Sequence, residues 1–128
     1  MAPAAKNSHT ILIVDDEHSI RYLCRVNLEL DGYRVLEAAE IAEARRLLES
    51  ERIDVVLLDL NVGRERTDDL LAELRRRTPP MPVALVTGST DVLAPEHPEA
   101  DAVLAKPFEV EELTATVRRL TALTTAER

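Results

Sequence analysis

The sequence predicts an α/β protein in which a five-stranded parallel sheet is covered by helices on both faces. Short apolar runs recur along the chain, the plainest being Val55–Leu58. Continuous runs of this kind are typical of strands that are buried on both faces. Segments with apolar residues at helical spacing separate the runs. Such strand–helix alternation predicts a mostly parallel sheet with right-handed crossovers.

The first half of the chain predicts two strands and two helices. Thr10–Val14 is the first strand, and a helix from about Ser19 to Leu30 follows it. Gly32 lies where a left-handed residue can cap that helix. Tyr33–Glu37 is the second strand, and the apolar spacing over Ile41–Leu48 predicts the second helix.

The second half predicts three more strands and their helices. The first is a strand within Ile53–Asn61, followed by a loop at Asn61–Arg66 and a helix at Thr67–Arg77 with Thr67 as N-cap. Two further strands are predicted at Pro82–Thr87 and Ala102–Ala105, and a last helix at Glu109–Leu120. The fourth helix is expected to be short or irregular, because Pro95 and Pro98 interrupt the stretch between the last two strands. Counting the predicted strands in chain order, the expected sheet order is 2-1-3-4-5, a flavodoxin-like (βα)5 sandwich.

Composition predicts one domain at residues 9–121, between a flexible arm at 1–8 and a polar tail at 122–128. No apolar stretch is long enough to span a membrane, and the N-terminus does not resemble a signal peptide. The single cysteine, Cys24, is typical of a reducing compartment, so a cytoplasmic protein is expected. A net charge of −8 argues against direct contact with nucleic acid.

Polar residues stand at the carboxyl ends of four predicted strands. They are the pair Asp15-Asp16, then Asp59, Thr87 and Lys106. Taken singly, the aspartates and the threonine could be helix or turn caps, and the lysine a solvated charge. Because the carboxyl ends of parallel strands meet at one edge, the sequence predicts that these side chains converge there.

The predicted cluster has the chemistry of a magnesium site. Several carboxylates close together stay ionised only beside a positive charge. Oxygen ligands suit Mg²⁺, with Mn²⁺ as a possible substitute. Asp59 could then act as a nucleophile toward a phosphoryl group, with Lys106 and the Thr87 hydroxyl contacting phosphoryl oxygens.

With these residues placed, the chain resembles the receiver domain of a two-component response regulator. The resemblance is carried by four segments: ILIVDDE at 11–17, VVLLDLN at 55–61, ALVTG at 84–88 and AKPF at 105–108. It implies an acceptor that is phosphorylated by a sensor histidine kinase or a histidine phosphotransfer protein. The acceptor would lose its phosphoryl group slowly by its own activity, rather than work as a turnover enzyme.

The resemblance also implies a role for each site residue. Asp59 is the phosphoacceptor, Thr87 the switch hydroxyl and Lys106 the phosphate contact. The metal ligands are Asp15, Asp16, Asp59 and the backbone carbonyl of Asn61, with Asp15 acting largely through water. The Lys106–Pro107 peptide bond is expected to be cis.

The chain departs from the family pattern in three places. Val62–Thr67 replaces the usual loop sequence after the acceptor, Val103 stands where a switch aromatic is usual, and the segment 88–100 is short and broken by prolines. Val103 and the broken fourth helix motivate an alternative function, a receiver-like interaction module that switches without phosphorylation. An aspartyl-nucleophile phosphatase of the haloacid-dehalogenase type is disfavoured, because that class has a D-x-D motif and a cap insertion.

Overall fold

The computed structural model describes residues 9–88 and 100–126, with side chains described up to residue 124. These ranges contain seven strands and four helices. The strands are β1 (Thr10–Val14), β2 (Arg34–Ala38), β3 (Val55–Leu58), β4 (Asn61–Val62), β5 (Glu65–Arg66), β6 (Val83–Thr87) and β7 (Ala102–Ala105). The helices are α1 (His18–Leu30), α2 (Ile41–Ser50), α3 (Asp68–Arg75) and α4 (Val110–Ala126).

Five strands form one parallel sheet in the order β2-β1-β3-β6-β7. When the two short strands β4 and β5 are set aside, this is the predicted order 2-1-3-4-5, and the flavodoxin-like fold is confirmed. The predicted arm at 1–8 and fourth helix, within residues 89–99, lie outside the described residues.

Two apolar clusters cover the two faces of the sheet. Alternate residues of the central strands point to opposite sides, so Leu12 and Leu58 pack with α2 and α3, whereas Ile13 and Leu57 pack with α1 and α4. All four of these side chains are buried. This double coverage explains why the strands lack a polar face, and it leaves their ends as the places where polar groups can reach solvent.

The cap predicted at the end of α1 is present. Gly32 has a positive φ of 93°. Its N–H donates to the Glu29 carbonyl, and the N–H of Tyr33 donates to the carbonyl of Leu28. These two hydrogen bonds form a Schellman motif, which uses a left-handed residue to end the helix and turn the chain into β2.

The predicted loop at Asn61–Arg66 is instead a small antiparallel hairpin of β4 and β5. Its turn residues Gly63 and Arg64 have φ values of 58° and 73°. Two consecutive positive φ values fit a type I′ turn, whose twist matches that of the paired strands. The prediction of a loop without strands was wrong because Arg64 carries no obvious sequence signal for this backbone region.

The last helix also differs from its predicted extent. We expected it to end at Leu120, but it continues to Ala126, so residues 122–126 extend the helix. No proline or glycine follows Leu120 to stop it. The hydroxyls of Thr121 and Thr124 donate to carbonyls three residues earlier, which accommodates both threonines within the helix.

Cys24 lies on the inner side of α1 and is completely buried. Burial raises the pKa of its thiol to about 12, and the nearby negative charge of Asp15 acts in the same direction. The thiol is therefore protonated and contributes to the core as a small apolar side chain. In the described parts of the chain, no helix is both long and apolar enough to cross a membrane.

Two leucines of α1 offer a matched test of this packing. Leu28 is 0% exposed and Leu30 is 78% exposed. Leu28→Ala should lower the free energy of unfolding by about 2–5 kcal/mol, because it leaves a cavity in the core. Leu30→Ala should change it by less than about 0.5 kcal/mol. Urea titration followed by circular dichroism measures both, and equal effects would contradict the assigned orientation of α1.

Candidate functional site

Three of the predicted site residues meet at the carboxyl edge of the sheet. Asp15 follows β1 and Asp59 follows β3, and these strands are neighbours in register, with Val14 opposite Leu58. The Asp59 N–H donates to the Val14 carbonyl over 3.0 Å, which continues the strand pairing. Lys106 follows β7 and reaches across to both aspartates.

The Lys106 ammonium is the positive centre of the cluster. Its Nζ lies 2.9 Å from Oδ2 of Asp15, 2.9 Å from Oδ2 of Asp59 and 2.7 Å from Oε1 of Glu17. Burial alone would lower the pKa of Lys106, but its close contacts with the carboxylates of Glu17, Asp15 and Asp59 outweigh burial and raise that pKa. The ammonium is thus charged at neutral pH.

Asp15 is the most deeply placed acid of the cluster. Burial raises the pKa of its carboxyl above the ordinary value, although the N–H of Glu17 and the Lys106 ammonium partly offset this. Oδ1 accepts the Glu17 N–H over 2.9 Å. Oδ2 is buried at ion-pair distance from Lys106, but no donor in the described residues points at it with hydrogen-bond geometry.

Hydrogen bonds on both sides fix the backbone around Asp59. Its carboxylate Oδ1 accepts the Asn61 N–H over 3.1 Å, and its carbonyl accepts the Thr67 hydroxyl over 2.7 Å. We predicted Thr67 as the N-cap of α3, and it holds that position but makes no capping hydrogen bond. Its buried hydroxyl is used on Asp59 instead, which sequence spacing alone does not reveal.

The predicted acidic pair is divided in the structure. Asp16 is exposed, and its Oδ2 accepts the N–H of Gly63 in the β4–β5 turn over 3.1 Å. Among the residues that the structure describes, Asp15, Glu17 and Asp59 form a group of acids whose oxygens lie within 4.8 Å of one another. Sequence analysis assigned no role to Glu17, although it is the third consecutive acid after β1 and was available as a signal.

Thr87 is the last residue of β6 and is buried beside the cluster. Its carbonyl accepts the backbone N–H of Lys106 over 2.9 Å, so the two residues are held side by side. The Lys106–Pro107 peptide bond is cis, as predicted. Asn61 is exposed at the start of β4, two residues after Asp59.

The donor set fits a hard divalent cation. Asp15, Glu17 and Asp59 offer only carboxylate oxygens, the ligands that Mg²⁺ prefers. The buried Oδ2 of Asp15 lies 2.9 Å from the Lys106 ammonium but accepts no directed hydrogen bond from the described residues, so it still has lone-pair capacity for a metal ion or a water.

Comparison with known proteins identifies the family. The family model of the response regulator receiver domain matches residues 11–118. The chain belongs to this family. A curated relative, the alginate biosynthesis transcriptional regulatory protein AlgB of Pseudomonas putida, is 38% identical over 125 residues. That alignment covers 94% of this chain but 28% of AlgB, so the receiver domain corresponds to a part of that relative.

Solved structures agree with this assignment. A receiver domain protein from Clostridium thermocellum is 29% identical, with a TM-score of 0.82 and coverage of 94% of this chain and 99% of the other. The response regulator TrrA from Thermotoga maritima, solved in complex with Mg²⁺–BeF, is 28% identical, with a TM-score of 0.78 and coverage of 88% and 98%. The prediction that this chain is a receiver domain, a family of phosphoacceptors, is therefore confirmed.

The burial of Asp15 predicts an unusual pH dependence of stability. Because its folded pKa is raised, ionisation of this carboxyl disfavours the folded state as pH rises from its ordinary value of 3.8 through the folded pKa. Asp15→Asn should therefore stabilise the metal-free receiver domain at about pH 7, by more than the ~0.5 kcal/mol typical of surface substitutions.

The gain should shrink as pH falls toward about 4, where the wild-type carboxyl becomes protonated as well. Urea titrations in the presence of a chelator at several pH values measure it. Asp69→Asn, at an exposed position of α3, is the control. A gain that is independent of pH would show that the charge of Asp15 is not its source.

Proposed function

We propose that Asp59 of this receiver domain accepts a phosphoryl group from a phosphohistidine of a sensor kinase or of a histidine phosphotransfer protein. The supporting observation is the placement of its carboxylate. Asp59 stands at the carboxyl end of a fully buried strand, 2.9 Å from the Lys106 ammonium and beside the buried Asp15. A carboxylate held in this way is an oriented nucleophile beside fixed positive charge.

The transfer exchanges one phosphorus bond for another. A carboxylate oxygen of Asp59 forms a bond to phosphorus while the bond from phosphorus to the donor histidine nitrogen breaks. That nitrogen keeps the electron pair, and the ring leaves as a neutral imidazole with the proton that its other nitrogen already carried. Later attack by water on phosphorus releases inorganic phosphate and restores the Asp59 carboxylate. Little covalent help is needed, since in-line phosphoryl transfer depends mainly on positioning and charge.

Lys106 and Thr87 are the residues that would contact the new phosphoryl group. The Lys106 ammonium already lies at hydrogen-bond distance from Oδ2 of Asp59, so it can bind a phosphoryl oxygen attached there. The hydroxyl of Thr87 can donate to another phosphoryl oxygen. That contact would favour one of two pre-existing conformations of the domain and so change which proteins it binds.

Mg²⁺, or Mn²⁺ in its place, is the proposed cofactor. Asp15, Asp16, Asp59 and the backbone carbonyl of Asn61 would hold it. When bound, the cation would neutralise the clustered carboxylates and polarise the incoming phosphoryl group. Asp16 would give up its hydrogen bond with the Gly63 N–H to become the more direct ligand, and Asp15 would act largely through water.

The site argues against the alternative of a module that switches without phosphorylation. Such a module has no need for buried carboxylates at adjacent strand ends with a lysine between them, because clustered carboxylates repel one another. Val103, which together with the proline-broken segment 88–100 motivated that alternative, packs as a partly buried aliphatic residue against the core.

The downstream partner is proposed to be a protein. AlgB is named a transcriptional regulatory protein, and the chain spans only 28% of it. The absence of direct contact with nucleic acid stays a prediction from the acidic composition of this chain. A cytoplasmic location likewise stays a prediction.

The acceptor can be tested by intact-protein mass spectrometry. Incubation with acetyl phosphate and Mg²⁺ should add a single phosphoryl group to the wild type and to Asp69→Asn, but none to Asp59→Asn. Chelation of Mg²⁺ should abolish the adduct. An adduct that persists in Asp59→Asn would place the acceptor elsewhere. The absence of an adduct from a folded wild type that binds Mg²⁺ would refute Asp59 as a phosphoryl acceptor.

Metal binding can be tested without phosphorylation. A ligand that binds only the folded state stabilises it by about 2.7 kcal/mol at a concentration 100-fold above its Kd. Saturating Mg²⁺ should therefore raise the melting temperature of the wild type, and the increase should be much smaller for Asp59→Asn. An equal increase in Asp59→Asn would exclude Asp59 as a ligand.

A further inference from the structure

Glu17 makes the shortest of the three carboxylate contacts at Lys106. Its Oε1 lies 2.7 Å from Nζ, against 2.9 Å for the Oδ2 atoms of Asp15 and Asp59. Glu17 directly precedes α1, and its backbone N–H is fixed by Oδ1 of Asp15. Its side chain is thus anchored at the base and directed to the same ammonium that the acceptor uses.

Exposure distinguishes Glu17 from the other two acids. Its side chain is 55% exposed, whereas those of Asp15 and Asp59 are 2% and 9% exposed. When a buried carboxylate loses its ion pair with an ammonium, its negative charge is left without a counter-charge or water. An exposed carboxylate that loses the same ion pair is solvated by water, so the loss costs much less. Of the three partners of Lys106, Glu17 is therefore the one that can be released at little cost.

Phosphorylation would bring a competitor for Lys106. Its Nζ donates hydrogen bonds to Oε1 of Glu17 and Oδ2 of Asp59, and it also lies 2.9 Å from Oδ2 of Asp15. A phosphoryl oxygen on Asp59 would draw the ammonium toward itself and so weaken its contact with at least one of these carboxylates. The buried Asp15 remains where it is, and Asp59 carries the phosphoryl group.

We infer that Glu17 is a positioning residue that holds Lys106 in the unphosphorylated site and competes with the phosphoryl group for it. This inference rests on the proposed role of Asp59. Glu17 also adds negative charge at the exposed mouth of the site, where it repels an anionic phosphodonor. Both effects slow the loading of the acceptor.

Glu17→Gln tests the inference, because it removes the charge while keeping the length and shape of the side chain. At saturating Mg²⁺, determined separately for each variant, the initial rate of phosphorylation by acetyl phosphate should rise about two- to fivefold, the range expected for loss of an exposed ion pair. Glu29→Gln is the matched control. It lies on α1, is similarly exposed, and pairs with Arg25 rather than with Lys106.

A second measurement follows Lys106 without any phosphodonor. The chain has two lysines, Lys6 and Lys106, so selective isotope labelling gives two side-chain NMR signals, which Lys106→Arg assigns. Glu17→Gln should shift the Lys106 signal, and Glu29→Gln should leave it in place. An unshifted signal would overturn the contact, whatever the phosphorylation result.

The outcomes separate this inference from the proposed function. If the wild type takes no phosphoryl group, the acceptor proposal fails while the NMR arm still tests the Glu17–Lys106 contact. If the wild type is phosphorylated and Glu17→Gln reacts no faster than Glu29→Gln, competition by Glu17 is refuted. A slower Glu17→Gln would also refute it, because Glu17 would then assist the reaction.

Discussion

The carboxylates of Asp15 and Asp59 are forced together because β1 and β3 are neighbouring parallel strands that end in register. The positive charge of Lys106 offsets the repulsion between the two carboxylates. Lys106 comes from the end of β7, with β6 lying between β7 and β3, and a long flexible side chain is required to cover that span. The core supports the same geometry, since strands covered on both faces leave only their ends for charged groups.

Sequence patterns predicted the sheet well because apolar runs of β-branched and aliphatic residues directly report burial on both faces. The ends of those runs then located Asp15, Asp59 and Lys106 at one edge. The same reasoning did not predict that Glu17, although it follows Asp15 and Asp16, contacts Lys106, or that the Thr67 hydroxyl donates to the Asp59 carbonyl. Both depend on where a side chain turns within a loop, which periodicity does not encode.

The β4–β5 hairpin illustrates a further limit. Gly63 is a familiar signal for a left-handed turn, but Arg64 adopts the same backbone region without a sequence signal. The hairpin matters for the site because the Gly63 N–H binds the Asp16 carboxylate and draws it away from the other acids. Strand-end arguments placed Asp15 and Asp16 together, but the adjacent loop decides which acid joins the cluster.

The burial of Cys24 has a practical consequence. Its thiol is both enclosed by the core and held in the protonated form, so an alkylating reagent cannot attack it in the folded molecule. Alkylation must then pass through molecules in which α1 has separated from the sheet, and the labelling rate counts those openings. In a chain without tryptophan, the alkylation rate of the single cysteine thereby reports how often α1 separates from the sheet.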